Sequence, residues 1–322
     1  WYQGTADAIR QQMHRLLSRD PEDILILAGD HLYRMDYEKL VRFHREKRAD
    51  LTIAVRPVTA TDAPRFGILK TNEEERITAF REKPQDASDL EDLSSRRRTE
   101  RPYLASMGFY VFRMDVLARM LEECEGDDFG HHIVPTAIDT LRVYAYPFEG
   151  YWEDIGTIAS FYQANLALTQ PDPAFDFYDP NSPIYTRSRF LPPSRIDGCQ
   201  IERAVVADGC KLYDANIQEC VIGLRSIIRP GARLRQVVMM GADDYEDDDD
   251  KAENRRLNRP HVGIGENAQI ERAIIDKNAQ IGQEVVIRSH EGEPDRQEEL
   301  YAIQDGIVVI PKNTIIPNGM KL

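Results

Sequence analysis

The chain has 322 residues and a formal net charge of −14, from 41 Lys and Arg against 55 Asp and Glu. That balance excludes a surface that binds nucleic acid mainly by neutralising phosphates; a small anionic substrate held by a few Lys and Arg stays open. No apolar run approaches the ~18 residues of a spanning helix, so no membrane association is expected, and four cysteines with no C-x-x-C pair exclude a disulfide scaffold, which points to a reducing, cytoplasmic setting.

The length predicts about two domains. Ala6 to Arg19 carries Ala8, Ile9, Met13, Leu16 and Leu17 on one helical face. Ile24 to Ala28 is a short apolar run closed by Gly29-Asp30, which predicts a buried strand with a carboxylate at its C-terminal end. Tyr37 to Lys47 reads as a helix and Leu51 to Val55 as a second buried strand. Gly67 to Leu69 and Arg76 to Arg81 read as extended, and the polar stretch Ser88 to Arg101, with Arg96-Arg97-Arg98, as a surface loop. Leu104 to Phe112 is a strand, Val116 to Glu123 a helix, Arg142 to Pro147 a strand and Thr157 to Leu168 a helix. Strands alternating with helices imply an α/β domain with a mainly parallel sheet, and such sheets bind ligands beyond the carboxyl ends of their strands. The prolines crowded between 170 and 193 then mark an extended connection. The expected domains are therefore 1–169 and 194–322, joined by 170–193.

Beyond that connection one aliphatic register runs through Ile196, Ile201, Val206, Leu212, Ile217, Ile222, Ile228, Leu234 and Met239, and resumes at Ile264, Ile270, Ile275, Ile281 and Ile287. Its steps are five or six residues, with glycines beside them at 209, 223, 231, 265 and 282. That period is the signature of a hexapeptide β-helix, in which each short strand buries its aliphatic residue only by stacking on the next coil. The register alone does not give the handedness. The acidic interruption, about Asp243 to Pro260, is expected to be a solvated loop.

Few residues suggest chemistry by themselves. Asp30, at a strand's end, suits a Mg²⁺ carrying a substrate phosphate and equally suits a helix N-cap. Asp154 in Tyr151-Trp-Glu-Asp-Ile-Gly-Thr could share that metal or cap the helix that follows. In Glu82-Lys83-Pro84 the lysine could hold a phosphate and the glutamate could accept from sugar hydroxyls; a solvated ion pair is the plainer reading. Neither G-x-G-x-x-G nor G-x-x-x-x-G-K occurs.

Taken in order, Trp1-Tyr-Gln-Gly-Thr-Ala-Asp-Ala, Leu27-Ala-Gly-Asp-His-Leu-Tyr-Arg-Met-Asp-Tyr, Phe66-Gly, Phe80-Arg-Glu-Lys-Pro, Ala105-Ser-Met-Gly, Tyr151-Trp-Glu-Asp-Ile-Gly-Thr, Val221-Ile-Gly-Leu-Arg-Ser, Met239-Met-Gly-Ala-Asp and Ile275-Asp-Lys-Asn-Ala resemble the glucose-1-phosphate adenylyltransferase family over essentially the whole chain. The resemblance implies a nucleotidyltransferase α/β domain joined to a left-handed β-helix, usually in a tetramer. It implies the conversion of ATP and α-D-glucose 1-phosphate to ADP-glucose and diphosphate with Mg²⁺, in α-glucan (glycogen or starch) synthesis. On that resemblance Asp30 is catalytic and holds Mg²⁺ with Asp154. Lys83 grips the sugar phosphate, Glu82 and Ser106 contact the sugar, Tyr2 and Gly67 line the pocket, and Gly4, Thr5 and Ala6 approach the nucleotide base. Lys277 and Lys312 resemble lysines that bind an effector anion such as 3-phosphoglycerate, and Arg187 or Arg189 a position tied to phosphate inhibition. The family's glycine-rich triphosphate loop precedes the position matching Trp1, so the chain by itself is expected to be inactive. A non-catalytic regulatory subunit, a sugar nucleotidyltransferase using UTP or dTTP, and a β-helix acyltransferase or zinc hydratase are the rival readings.

Overall fold

The computed structural model describes residues 1–96 and 99–322, and of Ala87 and Ser88 the backbone only. Arg97 and Arg98 of the expected surface loop therefore lie outside the described residues; the short helix Ala87–Glu91 interrupts that loop. Packing divides the chain into two compact units, Trp1–Trp152 and Glu153–Leu322. No helix among the described residues is long and apolar enough to cross a membrane.

The first unit is built on the strands Leu51–Val58 and Tyr103–Arg113, the longest of its sheet. Period-two alternation sends their side chains into two different cores. Leu51, Ile53, Val55, Tyr110 and Phe112 pack with the helices Met114–Glu123 and Val134–Thr140. Ala54, Met107, Phe109 and Val111 pack with Leu40 of the helix Tyr37–Glu46 and with Trp152. The result is a sheet with helices on both faces. It is mixed rather than mainly parallel. Leu51–Val58 runs parallel to Val143–Pro147, but Tyr103–Arg113 runs antiparallel to Leu51–Val58, Asp23–Ile26 and Ile68–Thr71. The alternation of strand and helix suggested parallel neighbours; Tyr103–Arg113 inserts between those strands in the opposite direction.

Two other expectations change. Ala6–Arg19 forms two short helices, Thr5–Arg10 and Met13–Leu17. The first is pinned by Arg10, whose guanidinium donates to the carbonyls of Leu121, Cys124 and Gly126. The strand Asp23–Ile26 is half-buried rather than buried and ends two residues early, because among the described residues it pairs on one side only.

Beneath the sheet His44 is fully buried. Its Nδ1 meets Thr52 Oγ1 at 2.8 Å, and its Nε2 has no hydrogen-bond partner, 3.6 Å from Asp23 Oδ1. Burial pushes the imidazole below its usual 6.5, against the opposing pull of Asp23. The unfolded chain thus takes up the proton more readily. The stability due to the neutral ring is complete above 6.5 and is lost as pH falls from there through the folded value. Urea unfolding between pH 8 and pH 5 is expected to show a decline that is smaller in His44→Gln, since glutamine does not titrate; equal declines would mean that other groups set it.

In the second unit the aliphatic register does stack. Ile201, Ile217, Leu234, Ile270 and Ile287 align in one parallel sheet. Ile196, Leu212, Ile228, Ile264, Ile281 and Ile316 align in another. Their side chains form one continuous core from Leu212 onward. Ile196 and Ile201, in the first coil, remain exposed, because among the described residues their strands have a neighbour on one side only. The acidic interruption is not a plain loop. Asp247 caps a helix, Asp248–Arg256, through a capping box with Asp250. Glu246 is pinned by Asn254, the Val262 amide and His261.

The helix Ile158–Ala167 belongs by packing to the coils. It is capped by Thr157 with Ser160, and its Tyr162 is buried among Val238, Ile274 and Ile307 with its hydroxyl on the Gln236 carbonyl at 2.7 Å. The compact unit therefore begins earlier than composition placed the 1–169 boundary, because the contacts of this helix, invisible in composition, lie with the β-helix.

Candidate active site

One edge of Tyr103–Arg113 receives Asp23–Ile26 opposite residues 110–113 and Ile68–Thr71 opposite residues 104 and 105. Between them is a notch spanning residues 106 to 109. On the other edge the register with Leu51–Val58 shifts between Ile53 and Val55, and Gly108 adopts φ +68°. A bulge of this kind re-aims side chains. Ser106 sits at its start: its Oγ accepts from the Gly108 amide at 3.2 Å and its own amide donates to the Gly67 carbonyl at 2.7 Å.

Asp30 follows the strand that borders this notch. Its carboxylate is 66% exposed, with His31 Nε2 at 3.6 Å. It caps no helix; Asp36 caps Tyr37–Glu46 instead, accepting from the Glu38 and Lys39 amides. The N-cap reading of Asp30 therefore falls. His31 is held in place by the indole of Trp152, which donates to its Nδ1 at 3.2 Å, and by the Phe109 ring. With Nδ1 accepting, the neutral ring carries its proton on Nε2, toward Asp30.

On the other side of Ser106 lies Glu82, half-buried between two glycines. A Cβ at Gly67 or at Gly130 would stand 2.7 Å from its Oε2, so both positions leave room for the carboxylate. Burial pushes the Glu82 carboxyl up, while Lys83 and His131 pull it down. Lys83 is exposed with φ +44°, an uncommon conformation for a side chain-bearing residue. Its amide donates to the Phe66 carbonyl at 3.1 Å.

The segment Gly4, Thr5 and Ala6 docks on the loop 127–129. Ala6 donates its amide to the Asp127 carbonyl at 2.7 Å. Thr5 Oγ1 donates to Asp128 Oδ2 and accepts from the Phe129 amide, both at 3.1 Å. Asp128 Oδ1 accepts from the His131 amide at 3.0 Å; these amide and hydroxyl donors outweigh its burial and hold its carboxyl below the usual range. Tyr110 is buried beside Ser106, and burial raises its hydroxyl to about 12. Tyr110, Asp128, His131 and Trp152 were not singled out by sequence. The only signal for Tyr110 was its period-two spacing from Ser106, and Asp128 stands where any turn aspartate could.

The remaining expected site residues each have local partners. Tyr2 is exposed, its hydroxyl accepting from Gln12 at 3.3 Å. Asp154 falls in the second unit and accepts the Gly156 amide at 2.9 Å; Thr157, not Asp154, caps the following helix. Arg187 and Arg189 lie in the exposed extended segment, Arg189 donating to the Arg187 carbonyl at 3.0 Å. Lys277 and Lys312 converge on Asp243, at 2.9 and 2.7 Å. No cluster of three or more His, Cys, Asp and Glu suited to a metal occurs among the described residues.

A single exposed carboxylate at the sheet notch offers only oxygen donors, the chemistry of a hard cation such as Mg²⁺ that retains water and substrate ligands. Two family models match most of the chain. A nucleotidyl transferase family model matches residues 2–171, and a model of the GLGC left-handed parallel β-helix domain matches residues 189–320. The second supplies the left-handed sense of the coil. The chain belongs to the nucleotidyl transferase family and carries behind that domain a GLGC-type left-handed parallel β-helix, the pair typical of glucose-1-phosphate adenylyltransferase.

Proposed function

We propose that the protein is a glucose-1-phosphate adenylyltransferase acting in α-glucan synthesis. The observation that supports this most directly is the cluster of Ser106, Glu82 and Gly67 at the sheet notch beside the Asp30 strand end, in a chain whose two halves match a sugar-nucleotide domain pair. An oxygen of the glucose 1-phosphate phosphate attacks the α-phosphorus of ATP; the bond to the β-phosphate breaks and diphosphate leaves. Such a transfer needs positioning and charge neutralisation, not a covalent nucleophile.

Glu82, held in its glycine cradle, accepts hydrogen bonds from sugar hydroxyls, and Ser106 contacts the same sugar. Lys83 binds the sugar phosphate. Thr5, tied to Asp128, fixes the Gly4–Ala6 strip along which the nucleotide base lies. Asp30 and Asp154 are the carboxylates that would hold Mg²⁺, which when bound would neutralise charge on the phosphates. Lys277 and Lys312 bind a regulatory anion of the 3-phosphoglycerate type, Arg187 or Arg189 contributes to phosphate inhibition, and the working form is a cytoplasmic homotetramer.

The test uses the protein from its complete reading frame. Diphosphate release from glucose 1-phosphate is measured with ATP, UTP and dTTP in turn. ATP-selective release is expected. Preference for UTP or dTTP would assign another sugar nucleotide, and no release with any of them would assign a regulatory subunit.

A further inference from the structure

Lys277 and Lys312 occupy matching corners of stacked coils, each followed by an asparagine in the left-handed conformation, Asn278 at φ +61° and Asn313 at φ +62°. The Asn313 amide donates to the Lys277 carbonyl at 2.9 Å, which sets one corner on the other. Both ammonium groups then reach one carboxylate. Lys277 Nζ lies 2.9 Å from Asp243 Oδ1 and Lys312 Nζ 2.7 Å from Oδ2, where Asn278 Nδ2 also donates at 3.1 Å.

Asp243 is presented by a segment anchored on both sides. Its own amide donates to Asn278 Oδ1 at 2.8 Å, the Ala242 amide to the Leu224 carbonyl at 2.9 Å, and the Tyr245 hydroxyl to the Gly209 carbonyl at 2.6 Å. The carboxylate is therefore a tethered anion on a two-lysine site. All three charged side chains keep about two-fifths or more of their surface in solvent, where ion pairs are weak and exchangeable. Asp276 also bears on the site. It accepts the Lys277 amide through Oδ1 and adds to the field on Lys312. The two lysines hold the Asp243 carboxyl far below the usual range, so acidification within the working range does not release it.

We propose that Asp243 is a built-in competitor at the anion site of Lys277 and Lys312, and that an effector carrying carboxylate or phosphate groups binds by displacing it. This rests on the reading of those lysines as an effector site. A site open only part of the time binds with an affinity reduced by the open fraction. Removing the tethered charge while keeping its shape, Asp243→Asn, therefore tightens anion binding.

The experiment is calorimetric titration of the protein from the complete reading frame with 3-phosphoglycerate and, separately, inorganic phosphate. The parent is compared with Asp243→Asn, Asp243→Ala, Lys277→Gln and Lys312→Gln, each checked for an unchanged melting profile. The expected result is a Kd about tenfold lower in both Asp243 variants and at least about tenfold higher in each lysine variant. Anion binding seen only in the Asp243 variants would also support the proposal. Binding weakened by the lysine changes but unchanged or weaker in the Asp243 variants would overturn the competitor and leave the lysine site standing. Binding indifferent to the lysine changes, or absent throughout, would overturn both readings.

Discussion

Asp30→Asn is expected to lower the turnover of ATP and glucose 1-phosphate by about 10³-fold or more while leaving the melting temperature unchanged. The two halves of this expectation have separate grounds. Asparagine matches aspartate in shape but carries no charge, and a hard divalent cation depends on anionic oxygen for its binding. A phosphoryl transfer that relies on neutralising phosphate charge loses its main source of acceleration when that oxygen is replaced. The unchanged stability follows from the site. The carboxylate is two-thirds exposed and caps no helix, and exposed positions without such a role change stability little. Raising Mg²⁺ is expected to recover part of the rate. Initial rates of diphosphate release across a Mg²⁺ series, with thermal melts alongside, check both. A variant retaining more than about a tenth of the parent rate at saturating Mg²⁺ would remove Asp30 from the chemistry.

The fold was legible where a single period governs the sequence, and less so where direction or distance matters. The aliphatic steps from Ile196 to Ile287 placed the coils correctly because, from Leu212 onward, each inward residue is buried by the coils stacked beside it. The same pattern stopped short of Val308, Ile310 and Ile316, because the segment Arg296–Gln304 leaves the coil as antiparallel strands before the register resumes. Arg203, Glu219, Gln236 and Arg272 turn one corner of successive coils with φ of 50° to 53°. No glycine marks those turns, so nothing in the composition announced them. The corner is instead supported from outside: Arg203 and Gln236 reach Glu219 at 2.7 and 2.8 Å, and Tyr162 binds the Gln236 carbonyl. In the site, the positions of Asp30, Glu82 and Lys83 just past strand ends were readable, while the choice of role for each came from the family resemblance alone. Asp128 and Tyr110 were not readable, because their part depends on the docking of residues 4–6 and on the bulge at Gly108, neither of which has a local signature. Asp243 stands at the start of the acidic interruption with nothing in the sequence to set it apart; the coil stack shows that it meets both lysines.

Gly241→Ala is expected to be the most damaging conservative change in the β-helix, costing roughly 3 kcal/mol or more. Gly241 has φ +87°, a conformation that side chain-bearing residues adopt at a cost, and a Cβ there would stand 2.0 Å from the Leu224 carbonyl oxygen. The clash is with backbone, in the segment where the Ala242 amide binds the same carbonyl at 2.9 Å, so no side chain can swing aside to relieve it. The two contributions can be separated inside the same unit. Gly292 has φ +84° but nothing within 4 Å of its would-be Cβ. Gly292→Ala therefore reports backbone strain alone, about 1 kcal/mol. For a unit of this size each kcal/mol moves the melting temperature by about 2–4 °C. Gly292→Ala should melt a few degrees below the parent and Gly241→Ala roughly three times as far. Equal shifts would mean that the Leu224 carbonyl moves away freely, and the chain leading into Asp243 would then be looser than its hydrogen bonds imply. A large shift for Gly241→Ala alone would establish that the close crossing of residues 223–224 and 241–242 is a fixed point of the coil, the base from which the Asp243 carboxylate is held against its two lysines.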